Sequence, residues 1–149
     1  MAKSLRKLLK TSPKRETEGI TLESANTRVL LRRAGGANVE YNAMMAAIHK
    51  EHGRALKIGA MPDAKANAMM YEVYAKTVIA GWETDVSPDD DNPNWVDGLE
   101  GPGGEIVPAS VENIIAYFTE VPEFWRMCKE TAEEIQYYSE DLASSIAGK

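Results

Sequence analysis

Residues 32–38 read Arg32-Arg33-Ala34-Gly35-Gly36-Ala37-Asn38, and this stretch decides the fold because it separates two periodicities. Before it, Ile20 and Leu22 alternate with polar neighbours, and Val29, Leu30 and Leu31 follow Asn26, which is the two-residue period of strands. After it, Tyr41, Met44, Met45, Ile48, Ala55 and Leu56 recur at helical spacing, with Glu40, Lys50, Glu51, Arg54 and Lys57 largely on the other side. The paired glycines permit positive φ and a tight reversal, and the Asn38 side chain suits the first turn of a helix. The reading is a short β-hairpin over 20–31, a sharp turn, and a helix from Asn38 to about Gly59, with Gly53 its weak point.

Working toward the C-terminus, Pro62 and Asp63 suit the start of a second helix. In it Met69, Met70, Val73, Thr77, Val78 and Ala80 line a broad apolar face as far as Gly81, and the two helices are expected to form an antiparallel pair. From Trp82 to Glu105 periodicity vanishes in a stretch of prolines, glycines and acids without a basic residue, which reads as a long surface loop. Ser110 can cap a short third helix burying Ile114, Ile115 and Phe118, and Pro122 opens a fourth. There Phe124, Cys128, Thr131, Ile135, Tyr138 and Leu142 alternate at spacings of four and three, a seam along which one helix lies on another. The expected fold is mainly α with a small N-terminal β element (α+β), a short β-hairpin followed by a compact bundle of about four helices. Its parts are a basic flexible arm over 1–18, one helical domain over 19–143 with an acidic loop at 83–108, and a tail at 144–149.

Composition sets the function class. A chain of 149 residues that is 44% hydrophobic can bury one core. No stretch approaches the roughly 18 consecutive apolar residues of a membrane span, and no secretory signal is evident, so a soluble cytosolic protein is expected. The formal charge of −6 conceals an asymmetry, because Lys3, Arg6, Lys7, Lys10, Lys14 and Arg15 crowd the first fifteen residues without an acid. The acidic remainder repels phosphate and argues against a nucleic-acid-binding domain. Leu5, Leu8 and Leu9 share one side of a basic turn or two of helix in the arm; a solvated arm, ordered only on a partner, is preferred to a membrane-surface helix.

The residues offer little catalytic chemistry. His49 and His52, the only histidines, lie three apart around Lys50 and Glu51, whereas metalloprotease helices space theirs four apart with a glutamate between. Asp85, Asp89, Asp90, Asp91, Asn92 and Asp97 suggest calcium, but Pro93 interrupts them, and neither the glycine nor the closing glutamate of a calcium loop is in place. Gly35-Gly36 lacks the Gly-Lys-Ser/Thr ending of a phosphate loop. Cys128, the one cysteine, fits a small buried hydrophobe better than a reactive thiol. The chain is therefore read as a binding protein, with no catalytic residue, metal or cofactor expected. Seven methionines include the Met44-Met45 and Met69-Met70 pairs. Helix geometry turns the members of a pair roughly 100° apart, so both face inward only on a broad apolar face. That face is either ordinary core or an adaptable groove.

Three stretches carry a family resemblance: Arg32 to Asn38 with Tyr41 three residues on; the run Tyr71-Glu72-Val73-Tyr74-Ala75-Lys76-Thr77-Val78-Ile79-Ala80-Gly81-Trp82-Glu83; and Ser110-Val111-Glu112-Asn113 followed by Pro122-Glu123-Phe124-Trp125. Their order and spacing over residues 20–139 resemble tail assembly chaperones of siphophages and related prophages. In these a strand ends in an arginine-rich turn, a helix ends in Gly-Trp-Glu, and an acidic loop precedes the last helices. The enlarged loop from Val86 to Pro108 and the basic first fifteen residues depart from that pattern. The resemblance implies a protein that binds the long, helical tape measure protein, keeps it soluble, delivers it to tail tube subunits in the host cytoplasm, and is absent from the mature virion. The tail tube protein and a frameshifted longer form of the chain are further implied partners, and homo-oligomerisation stays open. Arg32, Arg33, Asn38, Tyr41, Met44, Met45, Phe124 and Trp125 are the candidate contact or structural residues. The alternative from another class is a structural tail-completion or connector protein that stays in the virion.

Overall fold

The computed structural model describes residues 4–140. In chain order these form helices α1 (Leu5–Leu9) and α2 (Pro13–Glu18), strands β1 (Ile20–Ser24) and β2 (Thr27–Leu31), and helices α3 (Val39–Lys57) and α4 (Asp63–Thr77). Strands β3 (Ile79–Asp85), β4 (Trp95–Asp97), β5 (Leu99–Glu100) and β6 (Ile106–Val107) follow, then α5 (Val111–Glu120), α6 (Pro122–Glu133) and a 3-10 turn at Ile135–Tyr138. The α+β class, with its hairpin near the N-terminus and its helices beyond, is the one expected. The local signals act where they stand: Asn38 caps α3, Ser110 caps α5, Pro122 opens α6, and Gly59 takes φ +71° just past the end of α3.

The sheet is larger than a hairpin. Four antiparallel strands lie in the order β1-β2-β3-β4, and β3 comes from residues expected to complete the second helix or to begin the loop. α4 stops at Thr77, four residues short of Gly81. Thr77, Val78 and Ile79 are β-branched and Gly81 is a poor helix former, so the local preference for helix is weak. Pairing Trp82 with Val29 buries both residues almost fully in the sheet face that meets the helices. Ala80 is an extra residue in β3, inserted where the register with Leu30 and Leu31 shifts.

Three further expectations are corrected. The loop at 83–108 contains the end of β3 and all of β4, β5 and β6, and it is ordered by backbone donors. The Asp85 carboxylate accepts the N–H groups of Asn94 at 2.9 Å and Ser87 at 3.0 Å, closing the turn between β3 and β4. The arm expected over 1–18 carries two short helices, α1 and α2, separated by extended residues 10–12, and its second half belongs to the domain: the Ser12 N–H donates to the Tyr138 carbonyl, and Glu16 is buried. The seam of the fourth helix breaks after Glu133, because Glu134 turns extended and the 3-10 turn carries Tyr138 under β2, where its hydroxyl donates to the Leu31 carbonyl at 2.9 Å. Leu142, the domain end at 143 and the tail at 144–149 lie outside the described residues.

An aromatic cluster joins helices to sheet. Tyr74 and Tyr71 of α4 meet Trp125 edge-on at centroid distances of 4.6 and 4.9 Å, and Trp82 of β3 meets Phe124 at 5.4 Å and Tyr117 at 5.0 Å. Edge-to-face pairs contribute roughly 0.5–1.5 kcal/mol each beyond their area. Phe118, Cys128 and Ala132 complete the interior.

Candidate functional site

The turn at 32–38 is a clasp. Asn38, buried, accepts from the Tyr41 N–H through Oδ1 at 3.3 Å while its Nδ2 donates to the carbonyls of Arg33 at 2.9 Å and Thr77 at 2.8 Å. One side chain thus starts α3 and ties it to the end of α4. Arg33 forms an ion pair with Glu16, whose other carboxylate oxygen accepts from Thr11 Oγ1 at 2.9 Å. The Arg33 N–H donates to the Glu16 carbonyl, and Arg32 Nε donates to the Thr17 carbonyl at 2.9 Å. Gly36, at φ +54°, takes a backbone conformation that other side chains rarely adopt, and a Cβ there would crowd the ends of the Glu16 and Arg33 side chains. Arg32, Arg33 and Asn38 are therefore engaged in holding the N-terminal segment and the two long helices together.

Phe124 and Trp125 are core residues, with their rings in the aromatic cluster. Tyr41 is half-buried, with its ring edge-on to Tyr74 at 6.2 Å, and burial raises the pKa of both hydroxyls. Met44 and Met45 are likewise half-buried and, with Ile48, pack against the edge of the core. Their helix is unusual. α3 runs for 19 residues without one buried side chain, whereas the 15-residue α4 buries five. Met69 and Met70 of α4 are likewise half-buried, and Val39 and Ile58 are exposed at the two ends of α3. Among the described residues, the four methionines on the two helices of the α3–α4 hairpin are thus covered only in part. Lys50, Arg54, Lys57, Lys65 and Lys76 lie on this hairpin, while residues 83–140 carry many carboxylates and only Arg126 and Lys129 as cations.

Elsewhere the chemistry is sparse. Among the described residues no three His, Cys, Asp or Glu side chains come together as a metal-binding group, and no helix is long and apolar enough to cross a membrane. His49 is exposed, and the Nε2 of half-buried His52 lies 3.7 Å from Glu51. Burial pushes the Cys128 thiol up to about 12, far from a reactive thiolate at neutral pH. The acidic residues expected as a loosely solvated cluster include Asp85, whose carboxyl is held below the usual range by the Asn94 and Ser87 N–H groups. Sequence reasoning missed Glu16, the first acid after six basic residues, and that position was its one signal. It also missed Trp82 as a sheet residue, although Trp82 and Thr84 show the alternation of a strand.

Residues 36–149 match the family model described as YdaY prophage protein. No curated protein and no solved structure matches the chain.

Proposed function

The chain belongs to the YdaY prophage protein family, and on that premise we propose that it is a tail assembly chaperone that binds the tape measure protein, keeps it soluble and promotes tail tube assembly. The observation that carries this reading is α3, a long helix with no buried side chain whose Met44, Met45 and Ile48, like Met69 and Met70 of α4, are only half-covered. Unbranched thioethers repack around varied apolar partners, so such a face suits successive amphipathic stretches of a long helical polymer better than a single fixed ligand. The acidic remainder of the chain keeps the loaded complex soluble by mutual repulsion. Many weakly bound copies along one polymer hold it collectively, and each can be displaced by an arriving tube subunit.

On this reading the protein acts by contact alone, without catalysis, in the host cytoplasm, and leaves before the particle is complete. The test is co-expression with the tape measure protein of the same prophage, followed by a pull-down and a solubility assay, with purified particles probed for the chain. Rescue of a soluble complex, loss of that rescue in Met44→Glu/Met45→Glu, and absence from particles are the expected results. An insoluble tape measure protein, with the chain retained in mature particles, would make it a structural tail-completion or connector protein instead.

A further inference from the structure

Charge of one sign is confined to each of two stretches. Residues 3–15 hold six cations and no acid, whereas residues 77–125 contain no lysine or arginine. In the first stretch α1 leaves Leu5, Leu8 and Leu9 exposed at 70, 40 and 51%. Leu5 stands three residues before Leu8 and four before Leu9, so the three share one side of the helix. Leucines exposed together in this way mark a contact surface, unlike single ones scattered over a protein. Arg6 and Lys7 beside them are exposed and pair with no carboxylate among the described residues. Lys10 pairs with Glu140 at 3.3 Å, Arg15 donates to the Tyr137 carbonyl at 2.8 Å, and Thr11 bridges Ser139. These contacts hold α1 beside the 3-10 turn.

A cleft of about 650 Å³ opens in the cation-free stretch, between β3 and the passage from β6 into α5, and α1 takes no part in it. Ile79, Ile106 and Val107, all half-buried, and exposed Ala80 and Ala109 give it apolar walls. Asp97, exposed and without a cationic partner among the described residues, is its one charged lining residue. Glu112 follows Ala109 closely, in the first turn of α5.

We propose that this cleft receives α1 of a second copy of the chain, with Leu5, Leu8 and Leu9 against its apolar walls and Arg6 and Lys7 toward Asp97 and Glu112. Charge complementarity selects this occupant: every copy carries one apolar surface flanked only by cations and one flanked only by carboxylates, so each offers what the other lacks. At ~1.5 Å per residue α1 is roughly 7–8 Å long, short enough to lie in a cleft of this volume. Two copies can exchange helices about a two-fold axis, or copies can add head to tail; the contact is the same in both. It uses neither Met44 nor Met45 and stands apart from the reading of α3.

The experiment is sedimentation velocity on the full chain from micromolar to millimolar concentration. The mean mass is expected to rise with concentration at about 0.05 M salt and to rise much less at about 0.5 M, where exposed charges are screened. Leu5→Ser/Leu9→Ser and Asp97→Lys/Ala109→Arg, all at exposed positions, each weaken association by roughly tenfold or more while leaving the melting temperature essentially unchanged. Mixed in equal amounts, the two double variants associate again as a complex of one copy of each, because one brings an intact cleft and the other an intact α1. A chain that stays monomeric up to millimolar concentration, whether or not it binds anionic lipid vesicles, would overturn the proposal. So would association that survives both double variants, as pairing through α3 would, or double variants that fail to complement each other.

Discussion

Replacing Asn38 with alanine removes three hydrogen bonds made by one buried side chain: the cap on the Tyr41 N–H and the two donors to the carbonyls of Arg33 and Thr77. Loss of the cap costs about 1 kcal/mol. Each carbonyl left without its donor adds about 1 kcal/mol at the low end of the range for buried groups. The expected total is about 3 kcal/mol, which for a chain of this length lowers the melting temperature by roughly 10 °C. Urea unfolding followed by far-ultraviolet circular dichroism measures it. Asn38→Asp separates the terms, since the carboxylate still accepts from Tyr41 and suits a helix N-terminus, yet places an oxygen against the two carbonyls in place of the amide donor. If the clasp holds α3 to α4 as described, Asn38→Asp is destabilised as much as Asn38→Ala despite its intact cap. An aspartate variant within about 0.5 kcal/mol of the parent, the usual scatter of inconsequential substitutions, would refute the reasoning.

Three other outcomes follow from the same structure. Glu16→Ala leaves Arg33 without its buried partner and is expected to cost about 2 kcal/mol, reduced from the value for a fully buried pair because Arg33 is partly exposed; amide exchange at Ser12, which donates to the Tyr138 carbonyl, should quicken in step, and unchanged exchange would separate the N-terminal segment from the domain. Asp85 has a lowered native pKa, so the stability it contributes is present above about pH 4, its unfolded value, and is lost as pH falls through the lower native one. Asp85→Asn should therefore flatten the acid limb of a plot of urea midpoint against pH, and an unchanged limb would count against the turn. Cys128, with its thiol pushed up to about 12 by burial, should resist a disulfide reagent at pH 8 in the folded protein and react once unfolded in guanidinium; stoichiometric labelling of the native chain within minutes would contradict its placement.

The eight candidate contact residues separate along the same physical line. Met44 and Met45 are only half-covered because α3 packs chiefly on α4, a matter of tertiary arrangement that the periodicity of α3 could not express. Phe124 and Trp125 were legible as apolar positions on a helix, but whether such a position meets a partner or the core depends on what lies opposite, and Tyr71, Tyr74 and Trp82 lie there.

What the sequence by itself determined was everything governed within a few residues: the hairpin before the paired glycines, the Asn38 and Ser110 caps, the opening of α6 at Pro122, and the helical stripe of α3. These depend on φ preferences and neighbouring N–H groups, which a short stretch states in full. Only the tertiary structure decided that Ile79–Asp85 is a strand, since Val78 and Trp82 stand four apart and satisfy a helix equally well until Val29 is there to pair with Trp82. It decided as well that Glu16 closes on Arg33 from across the hairpin and that α6 breaks at Glu134 so that Tyr138 can reach the Leu31 carbonyl. Each of these choices is made between segments distant in sequence, where burial and hydrogen bonding outweigh a local preference of a few tenths of a kcal/mol per residue.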